Sequence, residues 1–94
     1  MNKYESVVII NPNLEQEAVK AFIKKISDLI NNDGKVLSVE ELGTRKLAYE
    51  IKKQKEGIYI VFKFEANTNL ISELERNYRI TDSVIKFIVI KEEE

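Results

Sequence analysis

Gly57-Ile58-Tyr59-Ile60-Val61-Phe62-Lys63-Phe64 is the stretch from which the fold can be worked outward. It is the clearest strand in the chain, rich in β-branched and aromatic residues. Successive side chains of a strand point to opposite faces, so Ile58, Ile60, Phe62 and Phe64 share one side. Tyr59, Val61 and Lys63 share the other. The bulkier set is expected to meet the core.

Upstream, Lys52-Lys53-Gln54-Lys55-Glu56-Gly57 reads as a polar hairpin connection. Lys35 to Ile51 reads as a partner strand, but its alternation slips between Val36 and Val39. A bulge near Leu37 and Ser38 would reconcile them, and Gly43 marks a second irregularity. Further back, Tyr4 to Ile10 is a β-branched strand stopped by Asn11-Pro12-Asn13. Asn13 with Gln16 suggests a capping box. Leu14, Ala18, Phe22, Ile26, Leu29 and Ile30 then recur at helical spacing to about Asn31, with Asp33-Gly34 as a turn. Downstream, Asn67-Thr68-Asn69 offers a cap for a second helix carrying Leu70, Ile71, Leu74 and Tyr78. Ile80 to Ile90 reads as the last strand.

The order strand, helix, strand, strand, helix, strand implies two right-handed crossovers joined by a hairpin. That predicts an α+β, ferredoxin-like βαββαβ fold: a four-stranded antiparallel sheet with two helices on one face. Residues 1–91 are expected to form one domain, and 92–94 an acidic solvated tail.

Composition narrows the chemistry. The 94 residues carry neither cysteine nor histidine, which removes thiolate chemistry, disulfides, the commonest general base and the usual transition-metal ligands. A chain of this length buries roughly 60–70% of its unfolded surface, enough for one core without staples. No signal peptide and no apolar run of membrane-spanning length is visible, so a soluble cytoplasmic protein is expected. Glu40 and Glu41 are adjacent, and adjacent strand residues face apart, so they cannot converge as a catalytic acid pair. With no Gly-rich phosphate loop and no nucleophile elbow, neither an enzyme nor a cofactor or small-molecule substrate is expected. Lysine and arginine number 15 against 16 acids, a net charge of −1. An RNA-binding protein with that balance must concentrate its basic residues on one face or borrow charge from a partner.

The sheet face away from the helices should carry Glu5, Val7, Ile9, Tyr59, Val61 and Ile88. For the last strand, pattern assigns Ile85, Phe87 and Val89 to the core and Lys86, Ile88 and Ile90 to the open side. An apolar patch of that kind marks a protein interface. Base stacking by an RNA-recognition motif would need aromatics where Ile58 and Ile60 stand, and is disfavoured. The basic residues fall into sets: Arg45-Lys46 at the break in the second strand, Lys52, Lys53 and Lys55 at the hairpin, and Arg76 and Arg79 ending the second helix. Lys3 and Lys86 would lie near one another if the first and last strands pair. Ordinary solvated lysines are the better reading at the hairpin.

Val39-Glu40-Glu41-Leu42-Gly43-Thr44-Arg45-Lys46-Leu47-Ala48-Tyr49 closely resembles the VEELGxRxLAY segment of the bacterial small-subunit ribosomal protein S6 family. Lys3-Tyr4-Glu5 running into Ile10-Asn11-Pro12-Asn13-Leu14, and Tyr78 to Lys86, agree in order and spacing. The resemblance implies a structural component of the small (30S) ribosomal subunit that binds the central domain of 16S ribosomal RNA together with the basic ribosomal protein S18. On that reading the RNA-binding candidates are Lys3, Arg45, Lys46, Arg79 and Lys86, which would hold phosphates without reading sequence. The partner-protein candidates are Glu5, Val7, Ile9, Glu40, Glu41, Tyr49, Tyr59, Val61 and Ile88. Arg76 and Arg79 also suit the negative end of their helix. The rival reading is a homodimeric ferredoxin-like regulatory or ligand-binding module. An acylphosphatase-like hydrolase would need an anion-cradling loop where Asn11-Pro12-Asn13 stands.

Overall fold

The computed structural model of the protein describes residues 1–92. Its elements are β1 (Asn2–Ile10), α1 (Gln16–Asp33), β2 (Gly34–Ile51), β3 (Gln54–Ala66), α2 (Thr68–Ile80) and β4 (Val84–Lys91). The strands form one antiparallel sheet in the order β2-β3-β1-β4. The βαββαβ, ferredoxin-like fold expected from pattern is therefore the observed one.

Alternation builds the core as expected on the two central strands. Tyr4, Ser6, Val8 and Ile10 of β1 and Ile58, Ile60, Phe62 and Phe64 of β3 are all buried. They meet Val19, Phe22, Ile26 and Ile30 of α1 and Leu70, Leu74 and Tyr78 of α2. Tyr78 is the centre of an aromatic group, 6.4 Å from Phe22 and 5.1 Å from Phe87 between ring centroids. Its hydroxyl shares a 2.8 Å hydrogen bond with Ser6 Oγ, and Ser6 is itself fully buried. That bond settles both polar atoms, which would otherwise be left buried without water.

Several local expectations need correction. The first helix begins at Gln16 with Glu15 as N-cap, and no side chain caps it. Asn13 serves the preceding loop instead: its N–H donates to Asn11 Oδ1 at 2.9 Å, an Asx-turn that uses the Asn-Pro-Asn stop locally. The buried row accordingly runs through Val19 and leaves Ala18 exposed. Gly34 opens β2 directly, so no separate turn follows Asp33. The second helix extends through Ile80, and β4 starts four residues later than expected, at Val84.

β2 carries the predicted bulge at Leu37, where its pairing with β3 slips between Val36 and Ser38. A second slip lies between Glu41 and Gly43, and Gly43 has φ +81°, a conformation that glycine adopts without a Cβ clash. A third slip is larger. Lys46 pairs with Glu56 and Ile51 with Gln54, so Leu47 to Glu50 lie against Lys55 alone. The hairpin then closes through Lys52 and Lys53 only, both left-handed with φ 49° and 64°. That is a two-residue turn of the I′ kind, shorter than the six-residue connection the polar run suggested.

Candidate nucleic-acid and protein interface

Cross-strand register converts the sequence into a map of the helix-free face. One row across the sheet reads Glu40, Val61, Val7, Ile88, and the next reads Gly43, Tyr59, Ile9, Lys86. On the other side of the first row lie Ser38, Lys63, Glu5 and Ile90. The face is thus apolar along Val61, Val7 and Ile88, with Glu40 at the β2 end of that row and Lys63 and Glu5 in the row beside it. Ile88 and Ile90 are about half exposed, at 47% and 52%. Val7 and Tyr59 are partly exposed as well.

Two residues expected to be open on this face are not. Ile9 and Val61 each keep only 7% of their surface. Ile9 is covered because β3 bears a glycine beside it: a Cβ on Gly57 would collide with Ile9 Cγ2, so its absence lets Ile9 lie flat against the backbone. The same glycine receives Ile85, whose Cδ1 would be 3.8 Å from that Cβ. Ile85 is therefore buried, at 8% exposure, but on the open side beside Gly57 and outside the cluster packed under the helices. The cause is a bulge: Ile10 pairs with Val84 and Ile9 with Lys86, leaving Ile85 extra, so Val84 replaces it in the core beside Phe87 and Val89.

The expected RNA-binding residues do not converge into one patch. Lys3 and Lys86 lie on strands that do pair, yet Lys86 stands opposite Ile9 while Lys3 lies beyond the Tyr4–Lys91 pair. Six residues of strand separate their rows, about 20 Å. The Lys3 carbonyl instead accepts the Glu92 N–H at 2.9 Å, so pairing runs one residue into the expected tail; Glu93 and Glu94 lie outside the described residues. Arg45 pairs with Gly57 on the open face, whereas Lys46, opposite Glu56, faces the helix side with Leu47, Glu50 and Lys55. Likewise Glu40 shares the open face and Glu41, opposite Ile60, does not.

What the structure does bring together is the hairpin end and β4. β2 and β4 are opposite edges of the sheet, but β1 stops at Ile10 and β3 continues past it. The hairpin end, loosened by the Leu47–Glu50 irregularity, crosses the end of β1. Tyr49, 66% exposed, lies with its ring centroid 5.8 Å from Lys86 Nζ, a cation–π distance. Lys52 Nζ donates to the Val84 carbonyl at 3.3 Å. Lys52, Arg79 and Lys86 consequently line one shallow hollow with Tyr78, Val84, Ile85 and Phe87. Arg79 reaches Glu75 at 3.8 Å, a weak surface pair that leaves most of its guanidinium donors free. Burial pushes the Tyr78 phenol well above its ordinary value, opposed in part by the bond to Ser6, so it stays a neutral wall of this hollow. The polar hairpin run implies only a solvated Lys52, because no local signal connects residue 52 with residue 84.

No metal-binding cluster of acidic, histidine or cysteine side chains occurs among the described residues, and no described helix is long and apolar enough to cross a membrane. Comparison with known proteins then gives a consistent answer. The family model for Ribosomal protein S6 matches residues 3–91. The small ribosomal subunit protein bS6 of Clostridium novyi is 48% identical over 94 residues, covering 99% of both chains. That of Clostridium perfringens is 47% identical over 95 residues, covering both chains completely. The crystal structure of 30S ribosomal protein S6 from Thermotoga maritima superposes with a TM-score of 0.91 at 36% identity, over 97% of this chain and 87% of that one. The chain belongs to the bacterial ribosomal protein S6 family, and is a structural, non-enzymatic component of the small ribosomal subunit.

Proposed function

We propose that the protein binds the central domain of 16S ribosomal RNA jointly with ribosomal protein S18, holding that protein on its helix-free face. The observation that carries this reading is the pair Val7 and Ile88 with Ile90 beside them, apolar surface that no helix covers and that stands next to the buried Val61. Glu40 and Glu5 border that surface and suit a basic partner. A net charge of −1 adds little repulsion toward such a partner, and the pair together offers the positive surface that a phosphate backbone needs. Arg45 and Lys86 lie at one end of the same face, where RNA would continue from protein. Lys3 would make a separate contact at the other end.

The test is binding to a central-domain RNA fragment by the purified protein, alone and with S18. Binding that requires S18 is expected. Lys46 faces the helix side, so Arg45→Ala should weaken binding about two- to fivefold, the share of one phosphate contact at roughly 0.5–1 kcal/mol, and adding Lys46→Ala should change it little. A concentration-dependent dimer that binds RNA under neither condition would favour the homodimeric reading.

A further inference from the structure

We propose that Lys52, Arg79 and Lys86 form a receiving site for a single phosphate of an RNA backbone, with the hairpin turn supplying the third cation. The proposal rests on the RNA-binding reading above and adds to it a site composed from three elements: the β2–β3 turn, the end of α2 and the start of β4. All three cations line the same hollow, and no carboxylate occurs among the described residues that line it. Three positive groups around one concavity repel one another, and a phosphodiester monoanion would relieve that repulsion. Lys52 is held in position rather than free to wander, since one of its three N–H groups is committed to the Val84 carbonyl and two remain to donate. Lys86 is held in the same way by the Tyr49 ring.

Lys52 and Lys53 both occupy left-handed positions of the turn, φ 49° and 64°, so a variant at either has to tolerate that backbone.

Lys52→Asn removes the charge while keeping a residue that tolerates the left-handed turn. Lys53→Asn is the matched control, because Lys53 lies on the other side of the hairpin with Pro12, Asn13 and Thr44. Affinity for the central-domain RNA fragment, with S18 present, would be measured across a salt series. Lys52→Asn is expected to weaken binding three- to tenfold and to lower the slope of log affinity against log salt by about 0.7–0.9, the share of one released counterion. Lys53→Asn should change neither quantity. Equal losses in both variants, or no loss in Lys52→Asn, overturn the site while leaving the RNA-binding reading intact. Wild-type protein that binds no RNA overturns both. A second arm titrates inorganic phosphate alone and follows the backbone amide signals of Lys52, Arg79 and Lys86 by NMR. Millimolar phosphate should shift them and RNA should displace it. Phosphate held in the presence of saturating RNA would assign the hollow to a free anion and overturn the proposal.

Discussion

At the scale of single residues, the Ser6–Tyr78 pair has the most consequences per atom. The hydroxyl of Tyr78 is buried 2.8 Å from Ser6 Oγ, with Phe22 and Phe87 around its ring. Tyr78→Phe keeps the ring and strands the serine hydroxyl, which should lower stability by about 1–2 kcal/mol in urea unfolding at neutral pH. Ser6→Ala in the same background should then cost little more, since the two substitutions remove one shared bond. The folded-state pKa of Tyr78 is raised by burial above its ordinary value of 10.0. The unfolded chain therefore releases this proton first, so the stabilisation is complete below pH 10 and is lost as pH rises beyond it. Above pH 10 wild-type stability should fall more steeply than that of Tyr78→Phe, by up to about 1.4 kcal/mol per pH unit; parallel alkaline curves would show that the phenol ionises without unfolding. Of this pair, only the position of Tyr78 on the helix was legible in the sequence. Nothing local to Ser6 says that its one polar atom meets residue 78.

At the scale of elements, legibility follows regularity. β1 and β3 alternate cleanly, and parity alone sorted their faces. β4 is as apolar as they are, yet parity misplaced Ile85, because one bulged residue reverses every assignment on its far side. The slip in β2 was visible beforehand since Val36 and Val39 are both apolar and three apart. For β4 no polar residue stood on the wrong face to announce a slip. The hairpin turn carries the element-scale prediction. Lys52→Asn with Lys53→Gly should relax both left-handed positions and raise stability by about 1 kcal/mol, read as a higher urea midpoint with an unchanged slope. The same double variant should bind RNA more weakly, so stability and affinity are expected to move in opposite directions. A variant that gains both would mean that the charge at this turn serves nothing.

At the scale of the whole molecule, the two faces of the sheet divide the labour. The helix side holds the core, and the open side is left half polar with exposed Ile88 and Ile90 near one edge. Ile88→Glu should leave the unfolding midpoint within about 0.5 kcal/mol of wild type, as a half-exposed side chain contributes little to folding. It should weaken S18 capture at least tenfold, because a carboxylate would be buried in an apolar contact. Unchanged capture would move the partner off the Val61–Val7–Ile88 row. The apolar character of this face was legible from alternation. Its fine structure was not: the covering of Ile9 depends on Gly57, an absence of side chain with the whole of α1 and β2 between them in sequence.

The strand order β2-β3-β1-β4 sets a timetable for synthesis. The first strand to be made is an inner one, bonded on one side to residues 58–66 and on the other to residues 84–91. Until those segments have emerged, a nascent chain exposes Val7, Val8, Ile9 and Ile10 with both backbone edges unpaired, a combination prone to pairing with other chains. α1 can form at once from local contacts, and the β2–β3 hairpin soon after, but neither shields this segment until β3 docks beside it. Translation at about 5–20 residues per second leaves that window open for several seconds. Completion of β4 is then the event that closes the sheet around its earliest strand.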